Sequence, residues 1–199
     1  VLHRRVVQQI ALEVGARVLR VGKHEAVRTR DPPAMHGEAR HLRVELDAEG
    51  AIAKAEELVY RNTAKEKNLL CVSGDLGGAY LGLQVLEREK RIYLENPSIQ
   101  PDLSGNDYIL ERQLKPEPRR DVIEELRKRS VKPTSMIDIS DGLASEIFHL
   151  CRQSNVGCEL YEDKIPIDQQ TYERAREFGL DPSVCALSGG EDYELLFTI

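Results

Sequence analysis

From residue 68 onward the apolar positions fall into short blocks, parted by glycine turns and by stretches with helical spacing. Asn68–Ser73 reads as a buried strand, and Gly74-Asp75-Leu76-Gly77-Gly78 turns it into a helix from Ala79 to about Lys90. Asn96–Lys115 is polar and turn-rich, which suits an exposed connection. Pro116-Glu117-Pro118 halts the chain, and Arg119–Arg129 then carries Val122, Ile123 and Leu126 on one helical face. Ser135–Ile139 is a second apolar run. It breaks at Ser140-Asp141-Gly142 and passes into a helix, Leu143 to about Ser154. Val156–Tyr161 alternates like a strand, Gln170–Phe178 is helical, and Gly179 suits a helix-ending position. The last run, near 193–198, reads as another strand. Strands near 68–73, 135–139, 156–161 and 193–198 with helices between them predict an α/β fold, a layered sheet with helices packed on it.

The first fifty residues break this pattern. All ten Phe and Tyr residues lie at or beyond Tyr60, and eight of the nine Lys and Arg residues before position 50 are Arg. Val6–Val21 has apolar residues at mixed spacing, and Asp31-Pro32-Pro33 interrupts what precedes it. His24, His36 and His41 are scattered in an Arg-rich context, which favours solvated side chains over a metal site. We expect two parts: an atypical, poorly packed 1–50, and an α/β domain over 51–199. The apolar run that reaches Ile199 leads us to expect that this domain continues past it.

Composition narrows the function. With 41% hydrophobic and 31% charged residues and a net charge of -6, the chain suits a soluble fold and offers no basic stripe for nucleic acid. No apolar run approaches the ~18 residues of a membrane span. The four cysteines show neither a C-x-x-C pair nor zinc spacing, which favours reduced thiols in a cytoplasmic protein.

The chemistry concentrates at two turns. Asp138 ends a strand and Asp141 opens a helix, so two hard oxygen ligands suited to Mg²⁺ sit beside Ser140 and a helix N-terminus suited to phosphate. The competing reading is that Ser140 or Asp141 simply caps the helix. A second acidic turn, Gly189-Gly190-Glu191-Asp192, precedes the last strand.

Asp138-Ile139-Ser140-Asp141-Gly142-Leu143, followed by Ala186-Leu187-Ser188-Gly189-Gly190-Glu191-Asp192-Tyr193-Glu194-Leu195, resembles the thiamine-monophosphate kinases. These are members of the aminoimidazole ribonucleotide synthetase and selenophosphate synthetase superfamily. Tyr60-Arg61, Ala64-Lys65 and Val72–Gly77 match that family's domain junction, and the resemblance covers roughly residues 52–199. It implies a mixed sheet belonging to the C-terminal domain of the aminoimidazole ribonucleotide synthetase-like fold. It implies an ATP-dependent phosphotransferase acting on thiamine monophosphate, with Asp138 and Asp141 as Mg²⁺ ligands. Arg61 and Ser140 would contact ATP, and Glu191 the thiamine moiety. No covalent intermediate is implied.

The family's N-terminal acidic metal motifs, its dimer interface and its substrate-stacking aromatic have no counterpart here. The resemblance therefore implies a homodimeric enzyme of which this chain is an incomplete form, weakly active or inactive alone. Two other readings stay open: another ATP-dependent synthetase of the superfamily, and a non-catalytic module that keeps the fold.

Overall fold

A computed structural model of the chain describes residues 16–20 and 57–199. The expectations for the rest of 1–50, including His24, His36 and His41, and for most of 51–60, lie outside the described residues. The described elements, from Val59 to Ile199 together with Ala16–Arg20, belong to one unit.

Four strands make the sheet: β1 (Ala16–Arg20), β2 (Leu69–Ser73), β3 (Ser135–Ile139) and β4 (Glu194–Thr198), in the order β1-β2-β4-β3. Among the described residues six α-helices accompany them: α1 (Gly78–Glu95), α2 (Asp107–Leu114), α3 (Arg120–Lys128), α4 (Leu143–Ser154), α5 (Gln169–Glu177) and α6 (Pro182–Ser188). In place of the mixed sheet expected, the three described ladders are all antiparallel. The chain's last strand is a central one: β4 pairs Val72 with Leu196 on one side and Ile139 with Glu194 on the other.

Both faces of the sheet are covered, which is why β2 is apolar at successive positions rather than alternating. Leu70, Val72, Ile139 and Leu196 pack with Leu143 and Leu150 of α4. Leu69, Cys71 and Phe197 pack with Val122 and Leu126 of α3. A third cluster joins Leu81 and Val85 of α1 to Ile109 and Leu110 of α2, Ala175 of α5 and Cys185 of α6. Gly179 just past α5 sits at φ 68, as its position in the sequence predicts. Among the described residues no helix is long and apolar enough to cross a membrane.

Three expectations need correction. The predicted strand Val156–Tyr161 is not one. Its alternation arises because Val156, Cys158 and Leu160 turn inward against the α4-side core, while no described strand lies beside it to form a ladder. Second, the stretch read as an exposed connection contains α2, whose polar face hid a helix that buries only Ile109 and Leu110. Third, α6 was missed although Asp181 signals it: its carboxylate accepts from Ser183 N (2.8 Å) and Val184 N (3.3 Å), with Pro182 opening the helix.

Helices α1 and α2 approach so closely that a Cβ on Gly82 would lie 2.1 Å from the Ile109 carbonyl oxygen. Alanine in a helix normally gains about 1 kcal/mol over glycine, but here the neighbour is backbone and cannot yield. Gly82→Ala is expected to lower stability by roughly 2 kcal/mol, within the usual overpacking range. The urea unfolding midpoint followed by circular dichroism measures it.

Candidate functional site

The elbow between β3 and α4 is set by two glycines, one in the elbow and one in the turn that packs against it. Gly142 has φ 115, and a Cβ there would stand 2.7 Å from the Leu187 carbonyl oxygen. Gly190 has φ 72, and its Cβ would stand 2.8 Å from the Ser140 carbonyl oxygen. Only glycine at both positions lets the two turns touch. Main-chain bonds then clasp them: Glu191 N donates to Ser140 O (2.7 Å) and Tyr193 N to Ile139 O (2.8 Å). Glu191 and Tyr193 themselves have positive φ, 62 and 51, an uncommon conformation for residues with side chains.

The capping reading of the elbow fails on geometry. Gly142, not Ser140 or Asp141, is the N-cap of α4, and it makes no side-chain cap bond. The carboxylates of Asp138 and Asp141 are exposed, and neither makes a hydrogen bond or ion pair among the described residues. They line one open cleft of about 490 Å³ with Tyr60, Arg61, Asn62, Ile137 and Ser140, and with Glu146, His149 and Gln153 of α4. Four of the five predicted site residues, Arg61, Asp138, Ser140 and Asp141, therefore share one cavity.

Arg61 is held in place through its backbone. Tyr60 O accepts from Met136 N of the edge strand (3.3 Å), and Arg61 O accepts from the Ser154 hydroxyl at the end of α4 (3.3 Å). Glu191 does not line the cleft, but its backbone is bonded to the elbow and its carboxylate accepts from the Tyr193 hydroxyl (2.9 Å). That bond, with smaller contributions from Asp138 and Asp141, holds the Tyr193 phenol above its ordinary pKa. The acidic groups thus share one neighbourhood. Among the described residues no three His, Cys, Asp or Glu side chains converge as a complete metal cage. The oxygens that are there, two unpartnered carboxylates beside a hydroxyl, suit a hard, hydrated cation such as Mg²⁺.

The same motif has an inward-facing half that sequence reasoning missed. Glu194, 1% exposed, accepts from Ser73, from Arg112 Nη1 (2.8 Å) and from Arg119 Nη1 (2.6 Å). Asp192 accepts from Gly77 N (2.7 Å) and Ala79 N (3.2 Å), so it caps the N-terminus of α1. Arg112 Nη2 ties the Asp75 and Asp192 carbonyls together at 3.0 and 3.3 Å, and the Tyr108 hydroxyl bonds the Asp75 carboxylate. The available signal was the alternation itself: Glu191 and Tyr193 exposed, Asp192 and Glu194 buried.

No family model matches this chain. Among curated proteins it is similar to thiamine-monophosphate kinases. That of Pyrococcus horikoshii is 38% identical over 151 residues, 75% of this chain and 42% of the relative. That of Aquifex aeolicus is 33% identical over 148 residues, 74% of this chain and 44% of the relative. Among solved structures, AaThiL complexed with AMPPCP and TMP matches with a TM-score of 0.58 at 32% identity, over 70% of this chain and 41% of that one. The thiamine-monophosphate kinase of Stenotrophomonas maltophilia matches with a TM-score of 0.57 at 32% identity, over 71% and 42%. The chain thus spans about two-fifths of the length of the relatives it matches. Its fold is that of this part of those enzymes, within the aminoimidazole ribonucleotide synthetase-like architecture.

Two predictions follow from the buried half. Glu194→Ala leaves two largely buried guanidinium groups without their shared anion, and is expected to cost about 3 kcal/mol or more in chemical unfolding. Asp192 behaves differently. Burial pushes its pKa up to about 6, against the opposing pull of its two amide bonds and of Arg112, with Asp75 adding to the rise. Because the folded value lies above the ordinary one, its contribution is fully present below about pH 4 and is lost as pH rises through 6. The stability of the protein relative to Asp192→Asn should therefore decline across that window, measured by unfolding at pH 4, 5, 6 and 7.

Proposed function

We propose that this chain is part of a thiamine-monophosphate kinase and supplies the nucleotide-facing half of the site that phosphorylates thiamine monophosphate from ATP. The observation that carries this reading is the single cleft shared by Arg61, Asp138, Ser140 and Asp141, with the Glu191 turn clasped to its floor. The relative that holds AMPPCP, a non-hydrolysable ATP analogue, together with TMP supports the pairing of nucleotide and thiamine phosphate.

In this reading Arg61 meets the polyphosphate as a cation, and the Ser140 hydroxyl gives it a hydrogen bond. Asp138 and Asp141 would hold Mg²⁺, which when bound neutralises phosphate charge. Glu191 would face the cationic thiazolium with its carboxylate. Phosphoryl transfer between two anions calls for alignment and charge neutralisation rather than a protein nucleophile, so the residues of this chain bind and orient the reactants. The domain assignment belongs to the same proposal. Residues 51–199 are the synthetase-like C-terminal part, and residues 1–50 are an atypical segment of which only β1 is described, paired with β2. The full enzyme is a cytoplasmic homodimer whose interface and further metal ligands come from a region this chain does not match.

Calorimetric titration with AMPPCP, with and without Mg²⁺, tests the site. Binding should need Mg²⁺, and Asp138→Asn and Asp141→Asn should each weaken it by about tenfold or more. Binding that ignores both the cation and these substitutions would overturn the assignment. Thiamine monophosphate should raise the melting temperature further in the presence of Mg²⁺ and AMPPCP.

A further inference from the structure

Among the described residues, Glu146 is the one strongly buried carboxylate that borders the cleft. It is 2% exposed, on the first turn of α4, with Leu143 and Leu150 of the core as its helix neighbours at three and four residues. One oxygen, Oε1, reaches back over the elbow and accepts from the Asp141 amide (3.2 Å) and the Ser140 hydroxyl (3.4 Å). The other, Oε2, is buried and has no hydrogen-bond partner among the described residues. A buried carboxylate oxygen without a partner is costly unless something else satisfies it, because the group is strongly solvated in water. It borders the same cavity as Asp138 and Asp141.

From this geometry we infer that Glu146 is a positioning residue for the cation site, a role resting on the function proposed above. Through Oε1 it fixes the Ser140–Asp141 peptide so that both aspartates open into the cleft. Oε2, shut off from solvent as the side chain now stands, turns toward the cleft to accept a hydrogen bond from water in the hydration shell of a divalent cation held by Asp138 and Asp141. A direct bond to the cation is not part of the inference, since no three acidic side chains converge as a cage among the described residues. An outer position suits Mg²⁺, which keeps several of its waters when protein-bound.

The role separates from a purely structural one by comparing two substitutions. Glu146→Gln keeps one carbonyl oxygen for the Asp141 amide and removes the charge and the second acceptor. Glu146→Ala removes both. Hydrogen exchange of the Asp141 amide reads the first half without any ligand: exchange should stay slow in the wild type and in Glu146→Gln, and become at least tenfold faster in Glu146→Ala. Calorimetry reads the second half. Mg²⁺-dependent AMPPCP binding should weaken roughly ten- to a hundredfold in Glu146→Gln, as for other outer-sphere partners of bound metals, while the melting temperature of the unliganded protein holds or rises. Unchanged Asp141 exchange in Glu146→Ala, or wild-type Mg²⁺-dependent binding by Glu146→Gln, overturns the inference. If the wild-type protein itself binds AMPPCP without regard to Mg²⁺, the proposed function fails and takes the cation half with it, whereas the exchange result still decides whether Glu146 sets the elbow.

Discussion

The structure depends on the contact of two turns with almost nothing between them. At Gly142 and Gly190 a single added methyl would drive the β3–α4 elbow and the β4 approach apart, since each imagined Cβ falls under 3 Å from the opposing backbone. The approach lets the chain exchange main-chain bonds there, and those bonds continue the β3–β4 ladder past its last residue pair, Ile139 and Glu194. The site is thus an extension of the sheet. Its position is fixed by strand register, set by the pairing of Ile139 with Glu194 and of Val72 with Leu196.

Within that continuation burial alternates residue by residue, although Glu191 and Tyr193 are left-handed and precede β4. Exposed Glu191 and Tyr193 alternate with buried Asp192 and Glu194, so one run of four residues serves two surfaces. Of the outward pair, Glu191 accepts from the Tyr193 hydroxyl, near Asp138 and Asp141. The inward pair anchors α1 through Asp192 and gathers Arg112 and Arg119 through Glu194. Buried ion pairs of this kind are poor evidence for stability in themselves, because desolvation offsets much of the attraction. Their effect here is geometric: α1, α2, β4 and the segment leading into α3 are all bonded to the motif that carries Glu191. A residue carried on a loop is thereby held as firmly as one in the sheet.

Much of this was legible in the residues. The runs at 69–73, 135–139 and 194–198 are apolar because both faces of the sheet are packed, and glycine turns mark where they end. Asp138, Ser140 and Asp141 were recognisable as a constellation because strand, elbow and helix follow one another directly, whereas Arg61, far earlier in the chain, entered only through the family resemblance. What the sequence hid was set by distant partners. Nothing local to Glu194 says that Arg112 and Arg119, 82 and 75 residues away, will converge on it. Likewise α2 is a helix because α1 lies against it with a glycine at the crossing, and its own composition reads as a connection. Val156, Cys158 and Leu160 alternate as a strand would, but alternation reports only burial on one side. A ladder also needs a neighbour, and none is described there.

The positive φ angles of Glu191 and Tyr193 bring these strands of reasoning together. Each such residue costs on the order of 1–3 kcal/mol and persists only where its surroundings over-determine it. Here the surroundings are visible on both sides: the Ser140 and Ile139 carbonyls take the two amides, and the buried Asp192 and Glu194 flank and anchor the strained pair. The strain orients Glu191 and Tyr193 outward while the intervening residue stays buried, which relaxed extended backbone alone would also do. What it adds is curvature, since left-handed residues bend the chain back over the elbow. The cost is borne where the motif meets the aspartates, and an arrangement of that kind is expected where a surface must stay shaped before its ligand arrives.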